Sequence, residues 1–248
     1  MELSALDIGS FIWFIICWVG YTLFARRAAK KVNSLSSVLY RYRKEWVKKL
    51  SISGMSEVDG ELLASLEKQV SFLASTSLLI LASLVTVLGA ASDKFLNFSA
   101  LSFVPEVPLA VVQLKLILLI FVFIYAFFTF TWAIRQYGFC FILFGSSFQT
   151  VKYYKEEKDY SPIATNRDFA AVTKVLDRAA HSYNYGIRAY YFAMAALAWF
   201  ITAYFFIFAC GITVIVLYRR EFKSSSLKAL VSARLVTNVH DEPEIEFD

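Results

Sequence analysis

The sequence predicts an all-α, polytopic integral membrane protein with four transmembrane helices, and three observations carry this prediction. Hydrophobic residues make up 58% of the 248 residues, charged residues make up only 18%, and the mean hydropathy is +0.55. Soluble domains usually contain about 25% charged residues. The apolar residues come in uninterrupted runs rather than in the alternation of strands, and in lipid such runs satisfy their backbone polar groups as helices.

Four of the runs are long enough to cross a hydrocarbon core of about 30 Å. The predicted spans are about residues 8–25, 70–91, 116–134 and 189–218, which contain no Asp, Glu, Lys or Arg over 18, 22, 19 and 30 positions. We therefore expect a single four-helix transmembrane domain over residues 1–220 and an extramembrane tail over residues 221–248. Amphipathic helices are expected on the cytoplasmic side of this domain.

The first span is predicted to be an uncleaved anchor rather than a signal peptide. A signal peptide carries basic residues before its apolar core and small residues at a cleavage site after it. Here Glu2 and Asp7 precede the run, and Arg26 and Arg27 follow it. This reversed order of charges predicts an N-terminus outside the cell.

The distribution of Lys and Arg predicts the orientation, because cytoplasmic loops are enriched in both residues. Segments 26–69 and 135–188 hold 18 of the 25 Lys and Arg residues, and seven lie elsewhere. Both large loops are therefore predicted to be cytoplasmic, with both termini outside. Arg219 and Arg220, directly after the last predicted span, are typical of a cytoplasmic flank, so the C-terminus changes sides if one span is miscounted.

The segment that follows the first span carries the apolar stripe of an amphipathic helix. Its apolar residues recur at steps of one, three and four, as Leu35, Val38, Leu39, Tyr42, Trp46 and Leu50. The predicted membrane-surface residues are Arg41, Arg43, Lys44, Trp46 and Lys48. A basic helix with a tryptophan can lie on an anionic leaflet. The same pattern fits a helix that packs against the cytoplasmic base of its own protein, and both interpretations stay open here.

A second helix is predicted to begin near Glu57 and to run through the second span to Ala91. Ser56 and Asp59 have the spacing of a capping box, and the acidic first turn suits the positive end of a helix dipole. Only the second half of this helix is expected to lie in lipid.

The apolar character of the third span continues past Arg135. Residues 137–148 remain apolar, and residues 116–148 would form about 50 Å of helix. The helix therefore either projects into the cytoplasm or continues along the membrane interface. Pro162 interrupts the chain after it, and Asn166 is the expected N-cap of a helix that leads into the fourth span.

Several short patterns occur in order along residues 35–220. They are Arg43-Lys44-Glu45-Trp46, a second span rich in Ser and Thr, Ile134-Arg135, and Asn184-Tyr185-Gly186-Ile187-Arg188-Ala189-Tyr190-Tyr191-Phe192 followed by Trp199. In this order they resemble the bacterial and plant membrane-protein family designated domain of unknown function 599. The resemblance implies four spans and a location in the bacterial inner membrane, and it implies no activity.

Two arginines beside apolar runs are the candidate binding residues. Arg135 and Arg188 are both expected at cytoplasmic helix ends, where an arginine next to lipid marks a functional site. With the phenols of Tyr137, Tyr185 and Tyr190 they would form a site for an anion or a lipid headgroup. The alternative is that both arginines reach the interfacial phosphates and only anchor their helices.

The sequence predicts no catalytic residue, no metal site and no cofactor. His181 and His240 have no metal-ligand spacing, and no nucleotide-binding or nucleophile motif occurs. Cys17, Cys140 and Cys210 lie in apolar runs and are interpreted as buried thiols. The basic residues are spread over loops near the membrane, so nucleic acid is not an expected partner.

Three functional hypotheses follow from these observations. The first is a non-catalytic helical bundle that contacts the lipid bilayer, anionic phospholipid or a membrane-protein partner and forms a homo-oligomer, because four spans make a thin bundle. The alternative is an anion-selective channel or small transporter that uses an Arg135/Arg188 site. A membrane enzyme is the least favoured hypothesis.

Overall fold

A computed structural model of the chain describes residues 5–29, 31–53, 55–90, 108–154 and 162–240, and it describes their side chains outside 51–53, 146–154, 162–168 and 234–240. The elements are α1 (Ala5–Ile15), a π-helical turn (Ile16–Gly20), α2 (Tyr21–Ala28), α3 (Leu35–Ser53), α4 (Glu57–Gly89), α5 (Leu109–Tyr154), α6 (Pro162–Leu197), a 3-10 turn (Ala198–Phe200), α7 (Ala203–Phe222) and α8 (Ser225–His240).

The predicted all-α class is confirmed, since the described residues contain no strand. Within the described part of the chain, four helical segments are long and apolar enough to cross a membrane: Ala5–Ala28, Glu57–Gly89, Leu109–Gly145 and Ala203–Ala233. Their outward faces carry exposed large apolar side chains such as Phe72, Leu79 and Phe208. Exposing such apolar faces to water would be unfavourable. In a bilayer the lipid tails are equally apolar, so these faces need no protein partner.

Helix α5 is central, and α6 packs antiparallel along it. At one end Ser182 donates a hydrogen bond to the Gln136 amide oxygen at 3.1 Å, and at the other Lys115 donates to the Trp199 carbonyl oxygen at 2.8 Å. On the other side α4 joins the bundle through Ser77, whose hydroxyl lies 2.9 Å from the Tyr190 hydroxyl. The predicted burial of all three cysteines is confirmed.

The prediction of one continuous span over residues 189–218 is wrong. Thirty residues of helix would be about 45 Å long, which exceeds the hydrocarbon core of about 30 Å. The chain instead breaks after Leu197 in the 3-10 turn, and Thr202 adopts an extended conformation with φ −153° and ψ 158°. The Thr202 side chain accepts a hydrogen bond from the Phe205 amide, so it caps α7. The run is therefore a helical hairpin, formed by the end of α6 and by α7.

Because of this break, α7 runs in the same direction as α1 and α2. Trp13 Nε1 donates to the Ile207 carbonyl oxygen at 3.2 Å, and eleven residues after Trp13 the ring of Phe24 contacts the ring of Phe222. The start of α1 and the end of α7 thus lie at opposite ends of the bundle. The sidedness of the two termini stays a prediction, and the hairpin adds one further pass along the bundle that bears on it.

One end of the bundle contains the ends of α2 and α7 and the start of α3. We call it the basic end. Helix α3 packs there on α6 and α8, and Tyr42 donates to the Leu230 carbonyl oxygen at 2.9 Å. The predicted capping box is confirmed, because Ser56 and Asp59 bond reciprocally at the start of α4. The start of α4 at Glu57 is confirmed as well.

Helix α5 continues unbroken past its apolar span for 46 residues in total, which is about 69 Å. Residues 137–148 are therefore part of one helix. The expected start of the next helix at Asn166 is wrong, since α6 already begins at Pro162. Proline suits this first position because the amide hydrogen that it lacks would have no partner within the helix. The sequence also predicts an irregular outer loop over residues 92–113, and this is wrong for residues 109–113, which belong to α5. Residues 92–107 and the acidic end, residues 241–248, lie outside the described residues.

Candidate functional site

A cleft of about 790 Å³ opens at the basic end, between the end of α2, the start of α3, and the facing surfaces of α5 and α6. We call it the basic cleft. Three arginines line it, with Arg26 and Arg27 coming from α2 and Arg178 from α6. All three are exposed in the described structure. Hydrogen-bonding side chains complete the lining, among them Ser36, Ser37, Gln136, Ser182 and Tyr185.

The carboxylate of the cleft, Asp177, is held by two basic side chains. Arg43 Nη2 donates to Asp177 Oδ1 at 2.5 Å, and His181 Nε2 lies 3.4 Å from Oδ2. Burial alone would raise the pKa of the Asp177 carboxyl, but the hydrogen bonds and positive charge of His181 and Arg43 outweigh it and hold this pKa below its ordinary value. Asp177 therefore stays ionised and paired, and Arg26, Arg27 and Arg178 give the cleft an excess of positive charge.

A second ion pair closes the bundle next to the cleft. Arg188 lies 3.9 Å from Glu221, and only 11% and 13% of their side chains are exposed. Glu221 also accepts a hydrogen bond at 3.1 Å from the Ser36 amide, in the first turn of α3. The guanidinium of Arg188 lies over the rings of Tyr21 and Tyr185, at 5.4 and 5.8 Å. Glu221 thus joins the end of α7 and the start of α3 to α6, and Arg188 provides the contact on α6.

The two arginines of the predicted site are not brought together. Ser182 lies opposite Gln136 and Gly186 opposite Phe130, so Arg188 is level with about residue 128 of α5. Seven residues of helix, about 10 Å, separate that level from Arg135. Arg135 is exposed on the outer side of α5, where its guanidinium lies 6.0 Å from the Trp132 ring and 5.7 Å from the Phe139 ring.

The three tyrosines of the predicted site also lie in different places. Tyr137 is buried in the core between helices. The Tyr190 hydroxyl lies 2.9 Å from the Leu73 carbonyl oxygen and links α6 to α4. Of the predicted anion-site residues, Tyr185 lines the basic cleft.

The predicted surface residues of α3 divide into two groups. Arg41, Lys44 and Lys48 are exposed. Arg43 points inward to Asp177, and Trp46 donates to Asp59 at 2.9 Å and packs against the Phe144 ring. Helix α3 therefore packs on its own protein, as one of the two interpretations of its pattern proposed.

The model of a protein family described as "Protein of unknown function, DUF599" matches residues 10–226, which is most of the chain. The chain belongs to the DUF599 family. Comparison with curated proteins and comparison with solved structures each found no match.

Two of the short sequence patterns that resemble the DUF599 family supply contacts at the basic end. In the segment from Asn184 to Phe192, Tyr185 lines the cleft, Arg188 pairs with Glu221, and Gly186 makes room for the ring of Phe130. In the pattern that begins at Arg43, Arg43 donates a hydrogen bond to Asp177 and Trp46 donates one to Asp59. Both segments therefore connect helices that are far apart in the sequence.

Sequence reasoning missed the arginines that line the cleft of this DUF599 protein. In the sequence Arg26 and Arg27 indicate only a charged flank, although they line the cleft together with Ser36 and Ser37 at the start of α3. Arg178 belongs to a polar stripe with His181, Ser182 and Tyr185 at steps of three, one and three, which lies on one face of α6. That stripe is the signal that could have shown the site.

The chemistry that this arrangement offers is recognition of an anion. Guanidinium groups present several donors in a planar fork that matches phosphate and carboxylate oxygens, and neighbouring hydroxyls can complete the coordination. Among the described residues, no group of three or more His, Cys, Asp and Glu side chains is placed to hold a metal ion.

Proposed function

We propose that the protein is a non-catalytic helical membrane protein whose basic cleft binds phosphate-bearing anions, above all the headgroups of anionic phospholipids at the cytoplasmic leaflet. The observation that carries this proposal is the lining of the cleft. Three exposed arginines line it, whereas the carboxylate among its lining residues, Asp177, pairs with Arg43 and lies 3.4 Å from His181. Phosphate contacts of this kind are charge-assisted and directional.

The placement of the cleft in the cytoplasmic leaflet follows from the charges of the chain. All Lys and Arg residues except Lys94 and Lys115 belong to segments 26–69, 135–188 and 219–234. With α7 returning to the basic end, the described residues of all three segments belong to that end of the bundle. The positive-inside rule then favours a cytoplasmic basic end, with the N-terminus outside and the C-terminus inside. We propose the bacterial inner membrane as the setting, where anionic lipid would attract this surface.

The lipid-binding proposal predicts a large loss of binding when the cleft loses its cations. In the Arg26→Gln/Arg27→Gln/Arg178→Gln variant we expect at least tenfold weaker binding, about 1.4 kcal/mol or more, because each charge-assisted contact to phosphate is removed. Binding is measured by titrating the purified chain in detergent with phosphatidylglycerol and, separately, with inorganic phosphate and phosphatidylcholine. Preference for phosphatidylglycerol over inorganic phosphate would identify the membrane as the source of the ligand.

The matched control removes three exposed cations that do not line the cleft. These are changed as Arg41→Gln, Lys44→Gln and Lys228→Gln, which lowers the net charge by the same amount. If this control weakens binding as strongly as the cleft variant, binding reflects net charge and the proposed site is wrong.

The contacts of Arg135 and Arg188 support the alternative function, an anion channel, less than the cleft supports lipid binding. Arg188 is paired with Glu221, and Arg135 lies on the outer side of α5 over two aromatic rings. We expect no anion flux when the protein is reconstituted in liposomes, and a flux that Arg188→Gln abolishes would favour the channel instead. Self-association into a homo-oligomer stays a prediction, for which cross-linking in mild detergent is the test.

A further inference from the structure

A second cavity, which we call the apolar groove, runs between the first and last membrane-length helices. It has a volume of about 610 Å³ and lies between α1–α2 and α7. Its lining is almost entirely apolar or aromatic and includes Trp13, Cys17, Gly20, Phe24, Gly211 and Tyr218. The groove shares no lining residue with the basic cleft. Its rim residues Trp13, Phe24 and Ile215 are exposed, so the groove faces the surroundings of the bundle.

The two glycines keep the groove open. A side-chain carbon added at Gly20 or at Gly211 would meet no atom within 4 Å. Both helices therefore leave unfilled space at these positions instead of closing over it, although small residues on transmembrane helices usually allow close contact between neighbouring helices. In a bilayer, an apolar molecule from outside the described chain would fill this space.

The length and the ends of the groove define that occupant. From Trp13 to Phe24 the groove runs along eleven residues of helix, about 16 Å, which is half of a hydrocarbon core of about 30 Å. The Trp13 indole closes one end by its hydrogen bond to the Ile207 carbonyl oxygen. At the other end the Lys223 ammonium lies 5.8 Å from the centre of the Tyr218 ring.

We infer that the groove holds one phospholipid, with an acyl chain along the glycines and its phosphate at Lys223. An apolar slot about as long as one leaflet, closed at Trp13 and ending near a cation, matches an acyl chain that ends at a charged headgroup. The end with Lys223 is the basic end, where the headgroup would lie among exposed cations such as Arg219. This lipid site is independent of the proposed basic cleft.

The test fills the groove with a side chain of the protein itself. Gly211→Leu places an isobutyl group in the slot, and we expect it to reduce the amount of tightly bound phospholipid at least fivefold. The measurement is native mass spectrometry of the purified full chain after delipidation in detergent and addition of phosphatidylglycerol. It is done in the Arg26→Gln/Arg27→Gln/Arg178→Gln background, so that lipid bound in the cleft does not contribute.

The matched control is Gly9→Leu, on the same face of the bundle but outside the groove. Gly9 also has no atom within 4 Å of an added side-chain carbon, so the change adds the same group to an open helix surface. Equal loss of lipid in both variants, or equal retention in both, would overturn the proposal. If Gly211→Leu does not fold, Ile215→Trp fills the slot from its exposed rim and decides the question by the same comparison. Lys223→Gln should weaken binding of phosphatidylglycerol more than binding of phosphatidylcholine.

Discussion

Replacing Gly186 by alanine should destabilise the bundle by about 1–3 kcal/mol, the usual range for an overpacked core. The added methyl group would overlap the ring of Phe130, which is completely buried. That ring cannot move aside freely, because it packs edge-on against Tyr190 at 5.5 Å and against Tyr183 at 6.3 Å. The contact joins α6 to the central helix α5, so the loss should be global. Thermal unfolding in detergent, followed by circular dichroism, measures it.

A matched glycine and a double variant separate overpacking from other effects of the substitution. Gly138 lies on α5 with open space around it, so Gly138→Ala should be neutral or slightly stabilising, since alanine favours helix. Phe130→Leu should relieve Gly186→Ala, so that the double variant is more stable than the sum of the single changes predicts. Strict additivity would show that the two residues do not compete for the same space.

Replacing Asp177 by alanine should destabilise the protein by about 3 kcal/mol, because it leaves the charge of Arg43 in a largely buried site. Both side chains are about four-fifths buried. Arg43 Nε is already buried without a hydrogen-bond partner among the described residues, so the guanidinium depends on the carboxylate. The free energy of unfolding, measured by titration from mild detergent into dodecyl sulfate, gives the magnitude.

The paired replacement Arg43→Met/Asp177→Leu is the control for that experiment. It removes both charges at once and should be less destabilising than Asp177→Ala alone. The pH dependence has a defined sign, because the folded-state pKa of Asp177 is lowered. The stability that this carboxylate contributes is present above its ordinary pKa near 4 and is lost as the pH falls through the lowered value. An Asp177→Ala protein as stable as the unmodified chain would contradict the role of the pair.

The membrane class and the long α4 could be predicted because their signals are local. An uncharged run has few stable conformations in lipid other than a helix, and Ser56 and Asp59 define a helix start from within four residues. The break after Leu197 has no such signal, since residues 196–204 contain neither Pro nor Gly. It is stabilised from afar, by Lys115 on the Trp199 carbonyl oxygen and by Asp7 on the Trp199 indole. Only the length of the 30-residue run indicated two passes.

The candidate site was harder to predict, because packing decides which arginines converge. Arg135 and Arg188 looked equivalent in the sequence, yet helix rotation turns Arg135 outward and Arg188 toward Glu221. Arg27 and Arg178 are 151 positions apart in the chain and share the cleft only because α2 and α6 meet at the basic end.

Cysteine accessibility tests most directly whether the first and the last basic segments lie at one membrane face, opposite the start of α1. The native cysteines are buried and should react little. Labelling of single cysteines introduced at Ala5, Lys44 and Ser232 can therefore be measured against a low background. An impermeant maleimide should label Lys44→Cys and Ser232→Cys only in inverted membrane vesicles and Ala5→Cys only in right-side-out vesicles. Labelling of Ala5→Cys and Ser232→Cys from the same side would contradict the return of α7 to the basic end and, with it, the proposed orientation of the cleft.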